Sequence, residues 1–424
     1  MSDRSRNASQ RISSLWQAAR VAIQAGRQVR LTARWVFPVC TAPIENGLLE
    51  IENGRIQAVE SLAGRSCAAA IDLGHCAILP ALVNAHAHLE FSDRTSPVQP
   101  ATPFADWIQN LMAWRRSRTE SISVLAARGA EQSARSGTTI VGDIVTGDWT
   151  PATVVPAYSR LLAFRELIGL QPEQRSSQME LAKNHITACR QAGVLPALSP
   201  HASFSVAPEL FGSLVQLATE ECVPLCLHLA ETRAELELLK NGSGELVDML
   251  NGFGLWRDDL IPRGLCPLDY LQPLADLPAA AIAHGNYLSA EEIQFLARHP
   301  NITTVYCPRT HHFFGHREHP WRQLIQAGAV VALGTDGRSS NPDYSLWSEV
   351  QFLDQETRGT VRPTLLEMAT RSGAAALGLP SLGFLQPGTA LEPALIRLGD
   401  SPSPDPWEQL FHADSRPEPV PRQS

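Results

Sequence analysis

Residues 78–88, ILPALVNAHAH, decide how this chain folds. An apolar run ends in two histidines, His86 and His88, and the arrangement returns further along. His228 closes residues 223–228 (VPLCLH), and Asp336 closes residues 330–336 (VVALGTD). Apolar runs bounded by turn residues and followed by helix-like stretches read as buried parallel strands. In a β/α barrel every strand ends on one face, so residues distant in sequence meet in one pocket. On an extended strand His86 and His88 project to the same side, because side chains alternate with a period of two. Three imidazoles and a carboxylate suit a divalent ion such as Zn2+, with Fe2+ or Mn2+ as alternatives, and leave room for one water. The expectation is a metal-dependent hydrolytic enzyme with His86, His88, His228 and Asp336 as ligands.

Working outward, eight such runs lie between residues 78 and 380: AILPALVNAH, TTIVGDIV, RLLAFRELIGL, VLPALSPH, VPLCLHLAE, AAIAHGN, ITTVYCP and VVALGTD. Helical-looking segments separate most of them, which predicts an α/β protein with a TIM-like (β/α)8 barrel. One of these segments opens with Ser289 three residues before Glu292, a capping-box signature. Ahead of the barrel, LTARWVFPVC and GLLEIENGRIQAVES read as strands, with a hairpin signal at residues 52–54. PALIRLG, near the other end, reads as one more. The expected organisation is a small β-sandwich domain made from both chain ends, residues 27–77 and 381–424, with the barrel at 78–380 between them. The last stretch is Pro-rich and expected to be irregular. In residues 1–26, Ile12, Leu15, Trp16, Ala19 and Ile23 keep helical spacing, yet the expectation is a partly ordered extension. That stretch lacks the continuous apolar core of a secretory signal.

The chain has 424 residues, enough for one large barrel and a smaller unit. Apolar residues make up 44% and charged residues 18%, the balance of a globular protein with a substantial core. A net charge of −8 with no dense Lys/Arg block argues against nucleic-acid binding. No apolar run is long enough to span a membrane. The expected partner is a small-molecule substrate, in a cytoplasmic protein that is free to form a homo-oligomer. The eight scattered cysteines suit reduced thiols, and Cys222 and Cys226 lack a second pair to complete a zinc site.

Glu231 follows His228 by three residues in H-L-A-E, just past the strand end. A carboxyl group there can shuttle protons beside a metal-bound water, or it can simply favour a helix N-terminus. His284 ends the strand AAIAHGN and faces the water or the substrate. Asp336 can bind metal, orient the nucleophilic water and accept its proton. His201, in SPHASFS, is either a ligand or a substrate contact, the latter once four ligands are assigned. No lysine lies near that strand end, which weighs against a bridged two-metal site. One ion is expected.

The motifs NAHAHLEFS, SPHASFS, HLAE, AHGN, CPRT and GTDG, in this order, resemble the amidohydrolase superfamily, and within it the chlorohydrolase and adenosine-type aminohydrolase branch. The resemblance runs from about residue 30 through nearly the whole chain. It implies that His86, His88, His228 and Asp336 hold the metal, that Glu231 moves the proton, and that His284 assists at the water and the leaving group. ARWVFPV, HAHLEFS, the stretch from Phe104 through Trp107, and SLWSEV look most like bacterial aminodeoxyfutalosine deaminases. Methylthioadenosine/S-adenosylhomocysteine deaminases share the same core. The chain departs from the common C-P-x-S-N pattern: Arg309, Thr310 and His311 follow Cys307 and Pro308.

The implied chemistry is hydrolytic deamination of an adenine ring at C6. In that picture Glu90 contacts a ribose hydroxyl or serves the fold, Phe104 and Trp107 pack on an aromatic ring, and Arg309 or Arg165 takes a substrate carboxylate. Arg165 and Glu166 either face the barrel mouth or pair with each other. Arg115 and Arg116 are either solvated or meet a carboxylate. His311, His312, His316 and His319 form either a polar loop over the pocket or a second metal site. Two rivals remain at this stage: hydrolysis of another C–N or C–Cl bond of a heterocycle, and a non-catalytic barrel that binds a small ligand.

Overall fold

The computed structural model describes residues 3–63, 67, 69–153 and 160–420. Two sheets organise the chain, and the passage from one to the other falls at Pro80, within the apolar run that opened the sequence reading. Proline has no N–H for a ladder, so a strand interior cannot continue through it. The residues before it join the small sheet, and those after it begin the barrel.

Helix α1 (Asp3–Gln24) precedes five strands: β1 (Val29–Val36), β2 (Ile44–Glu52), β3 (Arg55–Ser61), β4 (Ile71–Asp72) and β5 (Cys76–Leu79). Val29, Leu31, Ala33 and Trp35 are buried along β1 while the residues between the first three pairs are half-buried, the period-two signature of a strand with one core face. β2 and β3 form the hairpin expected at residues 52–54, with Asn53 and Gly54 both in the left-handed region (φ 53° and 69°). That pair matches the turn type whose twist suits a two-residue hairpin.

The barrel follows: β6 (Val83–His88), β7 (Ile140–Val145), β8 (Arg160–Leu167), β9 (Leu195–Pro200), β10 (Leu225–Leu229), β11 (Ala280–His284), β12 (Ile302–Tyr306), β13 (Val330–Leu333) and β14 (Asp336–Gly337). Each strand from β6 to β13 pairs in parallel with the next. β14 pairs in parallel with β6, so the curled sheet returns to its first strand. β13 and β14 are two parts of one chain run that serves both seams, separated by Gly334 and Thr335. A Cβ on Gly334 would stand 2.9 Å from the His86 carbonyl oxygen, so only glycine allows this close approach. All eight apolar runs expected as barrel strands are strands. β7, β10, β11 and β12 are buried at every position, as parallel strands covered on both faces must be.

The last two strands, β15 (Ala394–Arg397) and β16 (Arg416–Pro417), return to the small sheet, with β15 antiparallel to β5. The strand pairing gives one seven-stranded sheet, in the order β16-β15-β5-β1-β2-β3 with β4 on β1, rather than the expected β-sandwich. Helix α1 supplies the covering layer: Trp16, Ala19 and Ile23 are buried with Leu31, Leu49, Ile51 and Ile56. Helical spacing in residues 12–23 therefore marked a packed helix and not a partly ordered extension. Among the described residues no helix is long and apolar enough to cross a membrane.

Helix α2 (Phe104–Arg116) spans the barrel mouth. Near its start, Phe104 and Trp107 pack edge-on against Phe314, which follows β12, at ring distances of 5.4 and 5.0 Å. Near its end, Arg115 reaches Glu90 after β6 and Thr146 after β7. Helix α3 (Ile122–Arg135) then packs against the turn Leu89–Phe91 that follows the histidine pair.

Candidate metal centre

The strand ends gather five side chains at one point. His86 and His88 come from β6, His228 from β10, His284 from β11 and Asp336 from β14. Two triads, His86–His88–His228 and His86–His284–Asp336, share His86, and within each the ligand atoms lie within 4.8 Å of one another. His88 Nε2 is 3.3 Å from His228 Nε2, and Asp336 Oδ1 is 3.7 Å from His86 Nε2 and 3.5 Å from His88 Nε2.

This donor set fits a divalent cation on two structural grounds. His86 Nε2 is buried and has no hydrogen-bond partner, which is costly for a polar atom unless something binds it. His228 Nδ1 donates to the His201 carbonyl oxygen at 2.8 Å, which fixes the tautomer and leaves the Nε2 lone pair facing the cluster. Burial, then neighbouring imidazoles, lowers His86 and His88 well below the ordinary range, and burial first lowers His228 to about 4. All three are therefore neutral, the form that binds a metal.

The backbone aims these groups through strained positions. His284 (φ 71°), Asp336 (φ 55°) and Ala230 (φ 53°) occupy the left-handed region, which non-glycine residues rarely adopt. Each position is held by a hydrogen bond from a side chain or to one. His319 Nε2 donates to the His284 carbonyl at 2.8 Å. Ser340 Oγ donates to Asp336 Oδ2 at 2.6 Å, and Thr310 Oγ1 lies 3.0 Å from Ser340 Oγ. The Ala230 amide donates to Glu235 at 3.2 Å. The departure at Arg309–Thr310–His311 thus feeds the support of Asp336.

Glu231 Oε1 lies 3.5 Å from His284 Nε2. Burial, followed by the charges of Asp336 and Glu235, pushes its carboxyl well above the usual range. Its backbone is fixed on both sides: the amide donates to Glu235 Oε2 at 2.8 Å, and Asn286 Nδ2 donates to its carbonyl at 2.9 Å. Glu235 also accepts from Ser203 Oγ at 2.6 Å. Sequence reasoning passed over Glu235, although Thr232 three residues before it is a capping signal, and Thr232 does cap that helix.

His201 sits at the rim, with Nδ1 hydrogen-bonded to Ser205 Oγ at 2.7 Å and Nε2 4.0 Å from Glu166 Oε1. Of the pair Arg165–Glu166, it is Glu166 that turns inward. Arg165 donates to the Gly147 carbonyl at 2.9 Å, and its charge is felt at His185 and Cys189 on helix α4 (Arg175–Gln191), outside the barrel. Arg309 is also taken: it donates to Glu349 at 2.7 Å and to both oxygens of Asp343. Neither arginine is placed to receive a substrate carboxylate, which corrects the sequence expectation. Glu349, from SLWSEV, is buried and also accepts from Asn341, so that motif braces the loop after Asp336.

Glu90 is buried, its oxygens occupied by Arg115, Arg118 and Thr146, so its contacts serve the fold rather than a ribose hydroxyl. Phe104 and Trp107 stack on each other at 5.5 Å and are buried in the core rather than displayed for a ligand ring. The histidine loop is a polar brace. His311 Nδ1 lies 3.0 Å from Asn286 Oδ1, His319 holds His284 and stacks on Tyr306, and His316 meets the Tyr287 hydroxyl. Among the described residues, no metal-grade cluster includes any of these four histidines.

A profile of the amidohydrolase family matches residues 77–391. The 5-methylthioadenosine/S-adenosylhomocysteine deaminase of Moorella thermoacetica is 30% identical over 85% of this chain and 83% of its own length. The aminodeoxyfutalosine deaminase of Deinococcus radiodurans is 30% identical over 71% of this chain and 73% of its own. Among solved structures, Helicobacter pylori aminofutalosine deaminase in complex with methylthio-coformycin aligns with a TM-score of 0.78 at 21% identity, covering 92% of this chain and 97% of that one. A zinc-bound adenosine deaminase from Xanthomonas campestris gives 0.71 at 21% identity, covering 91% and 88%. These two likenesses are of fold.

Proposed function

The chain belongs to the amidohydrolase family and is a hydrolase of carbon–nitrogen bonds, and from that premise we propose that it removes the 6-amino group of an adenosine derivative. The preferred substrate in this reading is aminodeoxyfutalosine, a step of menaquinone biosynthesis. One observation carries the proposal: the Glu231 carboxyl, pushed up by burial, stands 3.5 Å from His284 beside a cluster of four imidazoles and the Asp336 carboxyl. A ligand-binding barrel has no use for a proton donor beside a metal centre.

His86, His88, His228 and Asp336 would hold one divalent ion, with Zn2+ as first choice. When bound, such an ion supplies hydroxide at neutral pH by acidifying water from about 15.7 toward about 7. The protein residues do the rest. Glu231 gives its proton to ring N1, which draws electron density away from C6 as the nucleophile adds there. Asp336 and His284 orient the nucleophile and take its proton. That proton passes to the departing nitrogen, ammonia leaves, and a 6-oxo purine remains. His201, at the rim, hydrogen-bonds the base.

A second reading, methylthioadenosine/S-adenosylhomocysteine deamination, is favoured by the Moorella relative, which matches more of this chain than the Deinococcus one does. Comparing kcat/KM for ammonia release across the three nucleosides decides between them. A preference of about tenfold for a thioether, worth about 1.4 kcal/mol of transition-state binding, would select the second reading.

A further inference from the structure

Arg115 sits near the end of α2, where that helix descends to the β6–β7 side of the mouth. Its Nη2 donates to Glu90 Oε1 at 2.8 Å and to Thr146 Oγ1 at 3.0 Å. Its guanidinium carbon lies 5.6 Å from the Phe91 ring centroid, and that ring lies 5.8 Å from the His88 ring. Glu90 is shared with Arg118, which is buried over Trp114 and paired with Asp93 as well. Arg115 differs: 30% of its side chain is exposed, and among the described residues its Nε and Nη1 have no hydrogen-bond acceptor. One nitrogen is thus pinned, while the remaining donors of this partly exposed side chain have no acceptor among the described residues. The charge also reaches across to Glu166, where it favours the ionised form.

We propose that Arg115 is the anion anchor of the pocket, taking a carboxylate carried on the 5′ side of the nucleoside. This rests on the reading that the substrate is an adenosine derivative, and it narrows that class to acidic 5′ substituents. Of the other arginines, Arg309 is spoken for, Arg165 lies beside His185 and Cys189 of α4 outside the barrel, and Arg338 donates to the Ser92 carbonyl and Gln132. Arg233 is exposed over Tyr287 and provides a control. A guanidinium held in place before the ligand arrives loses little freedom on binding, so its charged hydrogen bond is worth about 10- to 100-fold in affinity.

The test compares Arg115→Gln and Arg233→Gln by kcat/KM on a carboxylated nucleoside, aminodeoxyfutalosine or S-adenosylhomocysteine, against methylthioadenosine, which has no carboxylate. Arg115→Gln should lower that ratio about 10- to 100-fold, while Arg233→Gln should leave it unchanged. A ratio that stays put, or an equal fall on both substrates, overturns the proposal, because Arg115 would then act only through the fold. A second measurement needs no variant and no turnover: phenylglyoxal labelling of the metal-loaded wild-type protein, mapped by mass spectrometry. Benzoate, but not benzamide, should slow labelling of Arg115 at least fivefold relative to Arg233. Equal labelling with both additives overturns it as well. If the wild-type protein deaminates no adenosine derivative, the functional reading fails, while the labelling still decides whether Arg115 takes a carboxylate.

Discussion

Glu231 and Glu235 illustrate at the residue scale how one loop separates chemistry from support. Glu231 touches no ligand atom of the first triad, so Glu231→Gln should keep its metal and lose most of its rate, about 10²–10⁴-fold in kcat. Elemental analysis beside ammonia-release kinetics checks this, and near-normal turnover would remove Glu231 from the mechanism. Glu235 is buried and accepts from the Ala230 and Glu231 amides and from Ser203. Glu235→Ala would leave those donors unpaired and should cost roughly 3 kcal/mol of stability, read by denaturant unfolding. A loss of a few tenths would mean that water replaces the carboxylate. The strand-end histidines, Asp336 and Glu231 were legible because each ends a run or lies within three residues of one. Arg165 was misjudged because the side of the strand it takes is set by the barrel, and Arg309 because the number of donors an arginine has left is a tertiary property. Its acceptors, Glu349 and Asp343 for Arg309, lie 40 and 34 residues away.

Packing between elements sets how tightly the histidine pair is backed. Helix α3 lies so close to the turn after β6 that a Cβ on Gly129 would stand 2.3 Å from the Leu89 carbonyl oxygen. Alanine favours a helix interior over glycine by about 1 kcal/mol. The clash outweighs this, because the obstacle is backbone and cannot swing aside. Gly129→Ala should therefore lower stability by about 2 kcal/mol, measured by thermal denaturation, and move the turn that carries Glu90. A more stable variant would show that α3 can shift freely. Strand and helix types were readable from periodicity, including β2–β3 with its Asn-Gly turn. The layer over the small sheet was not: alternation along β1 says that one face is covered, but not whether a sheet or a helix covers it. The two-residue strands β4 and β16 are too short to leave any periodic trace.

Over the whole molecule, the metal-grade residues come from the first, fifth, sixth and last strands of the barrel, so whatever they hold ties the sheet across its closing seam. About one divalent ion per chain is expected, with ligand distances near 2.0–2.2 Å for zinc. Chelation should lower the thermal midpoint, since a ligand present at about 1,000 times its Kd stabilises by about 4 kcal/mol. Two firmly bound ions per active chain, or a midpoint indifferent to chelator, would contradict this. The barrel itself was readable from eight apolar runs, because parallel strands buried on both faces cannot hide polar residues. The seam has a further consequence for synthesis. A chain growing from its N-terminus exposes His86 and His88 early, but Asp336 and the run that closes β6 emerge only after three-quarters of the protein has been made. Partial products hold the first half of the site without its carboxylate, so metal loading falls late, and a chain cut short before residue 336 is left as an open sheet with an unpaired edge and a weak grip on its ion.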